Sequence, residues 1–194
     1  MRNFFRQLQE VHNPPEIREQ AREELPPNYP QLRKQYVHFC QSRDRSEGEI
    51  VHDLHELIHM PEIAAVAFVQ HEGGLECLLG TINVVITNPA TGRMHDIGEF
   101  IVRINRGGHG ILFENITRGI PCYENGAPKG RYHHPHIYAN GQMCMSAGKT
   151  LLQEYIGKGM IYDAARIIVR ALWTLDAVPI GHASIEKWPL LKEE

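Results

Sequence analysis

Between residues 63 and 117 the sequence turns to short strand-like stretches of period two, and this change of period constrains the fold more than any other feature. The stretches Ile63 to Val69, Leu75 to Thr87, Ile97 to Asn105 and Ile111 to Thr117 are rich in Val, Ile, Phe and Thr. Gly73-Gly74, Asn88-Pro89 with Gly92, and Gly107-Gly108 separate them. Four consecutive strands joined by turns predict an antiparallel meander. A loop is expected next, from Gly119 to Gly130.

On both sides of the meander the period becomes helical. Ser46 and Glu49 have capping-box spacing ahead of a helix with Ile50, Leu54, Leu57 and Ile58 on its apolar face, and Pro61 stops it. From about Met160 to Leu175, a second helix carries Ile161, Ala164 or Ala165, Ile168 and Leu172 at helical spacing, and it should cover the sheet. The run AGKTLLQEYIGKG before it reads as flexible. Upstream, Pro14-Pro15 introduces EIREQAREEL, Pro26-Pro27 stops it, and a further helical stretch from about Gln31 to Gln41 puts Leu32, Tyr36 and Phe39 or Cys40 on one face. The expected class is therefore α+β, with an N-terminal helical arm at 1–45 and one domain at 46–194. The arm either packs on its own domain or offers a partner a docking surface.

Charge is nearly balanced, with a net charge of −3 and a pI near 6.5, and no Lys/Arg block reaches the density of a nucleic-acid patch. The four cysteines, Cys40, Cys77, Cys122 and Cys144, lie far apart without a C-x-x-C pair. With no signal peptide and no apolar run of spanning length, a reducing, cytoplasmic setting without a membrane partner is expected.

The chemistry concentrates in Tyr132 to Ser146, YHHPHIYANGQMCMS. Three histidines, His133, His134 and His136, surround Pro135, and Asn140-Gly141 turns the chain back so that the histidine side meets the side carrying Cys144. A free cysteine titrates near ~8.5, so a nucleophilic cysteine needs help from its surroundings, and nearby donors can also stabilise an oxyanion.

His134-Pro135-His136, followed eight residues later by Cys144 in GQMCMS, resembles the active-site segment of ubiquitin-conjugating enzymes, looser likeness extending from about residue 46 to 188. In that family the pattern is His-Pro-Asn, a Gly-containing loop and the cysteine that carries ubiquitin as a thioester. His134, Pro135, Gly141 and Cys144 match, and His136 stands in place of Asn. The resemblance implies a four-stranded antiparallel meander flanked by an N-terminal and a C-terminal covering helix. It also implies a cysteine acyl transferase, with a ubiquitin-like modifier, an activating enzyme and a protein target as partners and no metal or organic cofactor. Likeness to bacterial members further implies an antiphage defence operon. The Tyr-Pro and Pro-Pro cluster usual after the family's third strand is missing, as is a Trp after the active-site stretch.

By this resemblance Cys144 is the thioester carrier and His134 an inward-packing loop holder. His136 is the oxyanion donor, base or loop former. His182, in PIGHAS, falls where the family often presents a residue that assists the incoming amine. Asp176 reads as a helix-end carboxylate, His133 and Asn140 as loop neighbours, and Cys40, Cys77 and Cys122 as structural.

Two other readings compete. HELIH, from His55 through Glu56 to His59, fits the H-E-x-x-H template of zinc metallopeptidases, although a chance match in this composition has a probability of roughly 0.07. Pro61 follows too closely for a continuing helix, and no clear third ligand is in view. The second alternative is a non-catalytic module that binds a ubiquitin-like protein, against which Cys144 argues. His133, His134, His136 and Cys122 as a metal cluster is weaker still, because alternating neighbours on a short loop rarely converge on one ion.

Overall fold

A computed structural model describes residues 25–106, 110–124, 127–143, 148–174 and 184–191. Residues 1–24 of the expected arm, which hold all of EIREQAREEL but its final Leu25, lie outside these residues. The first helix described is α1, Tyr29–Cys40, with Pro30 in its first turn, where the missing N–H costs nothing. Leu32, Tyr36, Phe39 and Cys40 form its buried face, and Tyr36 and Phe39 pack against Phe68 with ring centroids 6.2 and 5.4 Å away.

Helix α2, Glu47–Ile58, begins at the expected capping box. Ser46 Oγ accepts from the Glu49 N–H, and the Glu49 carboxylate accepts from the Ser46 N–H at 2.7 Å. The Ser46 hydroxyl also donates to that carboxylate at 2.7 Å, and this bond, with the one from the Ser46 N–H, lowers the Glu49 pKa. Ile50, Leu54 and Leu57 are buried, as their spacing predicted.

The main sheet is antiparallel, with strand order β1-β2-β5-β6. It is formed by β1 (Ile63–His71), β2 (Gly74–Thr81), β5 (Phe100–Asn105) and β6 (Gly110–Asn115). Two of the expected strands are each divided. The stretch 75–87 breaks into β2 and β3 (Val84–Thr87), and 97–105 divides between β5 and the end of β4 (Met94–Gly98), so that β3 and β4 make a separate hairpin. The bend has a side-chain cause. The buried Thr81 hydroxyl donates to the Ile82 carbonyl at 2.8 Å and accepts from the Phe100 N–H at 3.0 Å, replacing ladder bonds where the strands turn away. Gly98, at φ +105°, makes the matching bend on the other strand, and a Cβ there would lie 2.5 Å from Thr117 Oγ1.

The loop expected from Gly119 to Gly130 is instead a hairpin of β7 (Ile120–Glu124) and β8 (Ala127–Tyr132). Pro121, Pro128 and Gly130 hid the alternation. A two-stranded ribbon tolerates proline because half its backbone groups need no ladder partner, and a register shift between Cys122 and Tyr123 adds to the irregularity.

The run read as flexible forms α3, Gly148–Gly157, which buries Leu152 and Ile156. Its glycines obscured a one-turn apolar repeat. Gly159, at φ +73°, follows the helix end and approaches α1 so closely that a Cβ would lie 2.2 Å from the Cys40 carbonyl oxygen. Two arginines supply donors at this junction. Arg45 bonds to the Gly159 carbonyl at 2.8 Å and to Asp53 at 2.7 Å. Arg106 reaches the carbonyls of Phe39, of Gln41 at 3.0 Å and of Gly157 at 3.0 Å, capping α1 and α3 together.

Helix α4, Ile161–Trp173, forms where expected and buries Ile161, Ala164, Ala165, Ile168, Val169 and Leu172; it packs beside α2 and α3 and against β3 of the separate hairpin. Residues from α1, α2, α3, α4 and the sheet share one buried cluster. Beyond α4, a short 3-10 turn at Ile185–Lys187 leads to buried Trp188, and the chain then runs antiparallel to β4. There the Asp96 N–H donates to Pro189 O and the Leu191 N–H to Met94 O, both at 2.9 Å. The fold is thus mixed α+β with a mostly antiparallel sheet. No helix among the described residues is long and apolar enough to cross a membrane.

Candidate functional site

The histidine segment leaves β8 at Tyr132 and is fastened to the fold one residue at a time. His133 accepts at Nδ1 from the Asn115 N–H at 2.9 Å, and its ring also hydrogen-bonds the Ala139 backbone. Burial lowers its pKa, with Glu114 and the Ala139 bond opposing.

His134 is fully buried and packs edge-on to Phe100, with centroids 6.0 Å apart. Its Nε2–H donates to the Leu172 carbonyl at 3.0 Å, and Nδ1 accepts from the His136 N–H at 3.1 Å. A carbonyl can only accept and an amide N–H can only donate, so one neutral tautomer satisfies both bonds. Burial pushes the His134 pKa down to about 3, opposed by the Leu172 bond, and the ring stays neutral at ordinary pH. This is the inward, loop-holding position expected for His134. It also links the loop to the C-terminal turn of α4.

Two further turns complete the segment. The Ile137 N–H donates to His134 O at 3.0 Å, closing a turn around Pro135 and His136, and the Gly141 N–H donates to Tyr138 O at 2.9 Å. The Asn140 side chain accepts from the Gln142 N–H at 3.0 Å, an Asx turn that explains this residue at this point. Gly141 has φ +79°, and its carbonyl accepts from the Phe113 N–H at 2.8 Å, docking the turn on β6. A Cβ at Gly141 would lie 3.0 Å from Phe113 O, so this approach needs glycine. The returning chain brings Met143 into an antiparallel bridge with Ile137, the residue after His136. Cys144 is the next residue in the sequence.

Among the expected site residues, His136 has its backbone held by His134 and its partly buried ring 5.9 Å from the His134 ring. Cys144, His182 and Asp176 lie outside the described residues. Cys40, at the end of α1, and Cys77, on β2, are buried, and burial raises both thiols, Cys40 to about 12, which suits structural rather than nucleophilic cysteines. Cys122 is buried in β7.

Asn115 is the site's main support that the sequence reading missed. This buried residue at the end of β6 donates from Nδ2 to Ile97 O at 2.6 Å and to His133 O at 2.8 Å, and accepts at Oδ1 from the N–H groups of Thr117 and Arg118 at 3.1 and 2.6 Å. A polar residue in register with core-facing Phe113 was the available signal, since a buried amide is costly unless fully bonded. His133 was likewise assigned too little, being a clamp between β6 and the turn.

His55 and His59 occupy the end of α2, which stops at Ile58 and leaves His59 as its C-cap. Their rings stack at 4.2 Å, and His59 Nδ1 lies 2.6 Å from the His55 carbonyl oxygen. No group of three His, Cys, Asp or Glu side chains suited to one metal ion occurs among the described residues. Comparison with family models, curated proteins and solved structures found no match to this chain.

Proposed function

We propose that this chain is a ubiquitin-conjugating-like acyl carrier, in which Cys144 holds a ubiquitin-like modifier as a thioester and passes it to a target amine. The observation that carries the reading is the return of the chain at Asn140-Gly141, which pairs Met143, the residue before Cys144, with Ile137, the residue after His136. Support also comes from His134, both of whose ring nitrogens hold the loop, and from an antiparallel β1-β2-β5-β6 sheet preceded by α2 and followed in the chain by α4, an arrangement compatible with a conjugating-enzyme-like fold.

In the proposed reaction the Cys144 thiolate attacks the thioester carbonyl of the modifier on an activating enzyme. A new C–S bond forms, the old one breaks, and the activating enzyme's thiolate leaves. A target amine then attacks the same carbonyl, giving a tetrahedral oxyanion whose collapse expels the Cys144 thiolate and, with loss of the amine proton, leaves an amide. His136 is the proposed hydrogen-bond donor to that oxyanion. His182 is proposed to assist the amine. A bacterial defence operon supplying the modifier and the activating enzyme is part of the same proposal.

The test is a loading assay with the activating enzyme, modifier and ATP. A reductant-sensitive adduct should form on the parent, vanish in Cys144→Ala and persist when Cys40, Cys77 or Cys122 is changed. An adduct that survives loss of Cys144 defeats the assignment, and no adduct with any variant favours a binding module. Removing an oxyanion donor typically costs 10²–10³ in rate, so His136→Ala should discharge about that much more slowly, and His136→Asn should recover much of the loss. Discharge at the parental rate from a folded His136→Ala leaves that ring with loop shaping alone.

A further inference from the structure

The segment before Cys144 is held by two adjacent imidazoles that both use Nδ1 as acceptor of a backbone N–H, His133 from Asn115 at 2.9 Å and His134 from His136 at 3.1 Å. A ring nitrogen accepts only while it carries no proton, so each hold exists only in the neutral ring. Their surroundings differ. His134 is fully buried, and burial pushes its pKa down to about 3, whereas His133 is only partly buried and bonds to the last residue of β6. The His133 ring also bonds the Ala139 backbone, and because that bond favours the proton, the ring donates and a carbonyl accepts. With Nδ1 already accepting, the donor is Nε2. One neutral imidazole thus spans from β6 to the turn at 139–141, which the Phe113 N–H also fastens to β6 by donating to Gly141 O at 2.8 Å.

We propose that His133 is a positioning residue for the chemistry at Cys144, hanging the 139–141 turn on β6 as a neutral ring and releasing it on gaining a proton, a role that rests on the acyl-carrier reading. Protonation puts an N–H on Nδ1 opposite the Asn115 N–H, so two donors face each other and that bond is lost. Nε2 donates to Ala139 in either form, and the Asn115 side chain still holds the His133 carbonyl at 2.8 Å. The end of β8 therefore stays in place while the turn loosens. Cys144 follows Gly141 by three residues, so a shift of the turn moves the thiol relative to His136, and a misplacement of about 1 Å at a reacting group can cost about 10²-fold in rate. Burial acts most strongly against the proton; Glu114 of β6 and the Ala139 bond favour it, and Arg131 of β8 opposes it. The turn residues Ala139, Asn140 and Gly141 carry no ionisable side chain, and neighbouring His134 stays neutral. The hold is complete above the unfolded value near ~6.5 and is lost as pH falls through the lowered folded value.

NMR titration of the full chain from about pH 8 to about pH 5 tests the clamp without modifier or activating enzyme. The Asn115 and Phe113 amide signals should shift together with the His133 ring nitrogens, with a midpoint below ~6.5. In His133→Asn, the side-chain oxygen stands where Nδ1 does and accepts at any pH, so those amides should no longer titrate. For the reaction, Cys144 loaded with modifier is discharged onto free lysine over the same range. The ratio of parent to His133→Asn cancels the contributions of His136 and of the amine. The two proteins should discharge alike at the alkaline end, and the parent should fall behind by up to about 10²-fold as its amides shift. Amides that do not follow the His133 ring, or that titrate equally in His133→Asn, overturn the clamp. A constant ratio across the range overturns the positioning role. Failure to load Cys144 overturns the acyl-carrier reading and the positioning role with it, while the amide titration, which needs no modifier, still decides whether the clamp exists.

Discussion

In the turn after β8, His134 is fully buried and spends both ring nitrogens inside the fold, on Leu172 O and the His136 N–H. At the end of α2, His55 is half exposed, and its ring lies against a second histidine. In sequence the two groups look alike, each a short run dense in histidine and suggestive of a metal or of catalysis. Their environments separate them. Burial holds His134 neutral in one tautomer and makes it part of the scaffold, whereas the α2 pair stands at the surface with the His55 ring open to solvent.

The sharpest test of this contrast is to remove each ring in turn. His134→Ala deletes two buried hydrogen bonds, leaves the Leu172 carbonyl without its donor and opens a cavity beside Phe100, so a loss of about 3 kcal/mol is expected in urea denaturation. A loss below about 1 kcal/mol would mean that the loop does not depend on this ring.

The turn itself offers a smaller effect with an internal control. Gly141→Ala should cost about 1–2 kcal/mol for φ +79° plus a further cost for the contact with Phe113 O, whereas Gly92→Ala, at φ +70° in open space, should cost only the backbone part. Equal losses at the two positions would show that docking on β6 is looser than described.

Acid provides the next comparison. The His134 pKa is depressed in the folded state, so its contribution to stability is complete above the unfolded value near ~6.5 and is lost as pH falls toward its folded value of about 3. In that window the parent should lose at most about 1.4 kcal/mol per pH unit through this group, and His134→Asn should flatten the profile. The downward shift at His133 acts in the same direction and should leave a residual slope. An unchanged profile in His134→Asn would assign the acid sensitivity elsewhere.

The smallest change is expected on α2. His55→Ala, at an exposed position, should stay within about 0.5 kcal/mol of the parent. A larger loss would mean that the stacked pair supports the helix end.

What could be read locally was read well. Ser46 and Glu49 announce α2 because both halves of a capping box lie within one turn of chain, and Leu32, Tyr36 and Phe39 or Ile161, Ala164 and Ile168 mark buried faces because helical spacing alone brings them together. The reversal at Asn140-Gly141 was equally legible, since an Asx turn and a left-handed glycine are properties of the residues themselves.

Other features waited for their neighbours. Gly148, Gly157 and Gly159 made α3 look flexible, yet the α1 end and Arg106 meet its last turn and supply bonds that no local pattern could announce. The division of 75–87 into two strands depends on Thr81 meeting Phe100 across the sheet, and the prolines of β7–β8 are tolerated only because that ribbon stands apart from the main sheet. The sequence by itself determined the helix faces, the antiparallel alternation and the turn that folds the histidine segment back. Only tertiary structure decided where the strands bend and that Asn115 and His133 clamp the turn, because those bonds join groups 18 or more residues apart, beyond the reach of any local pattern.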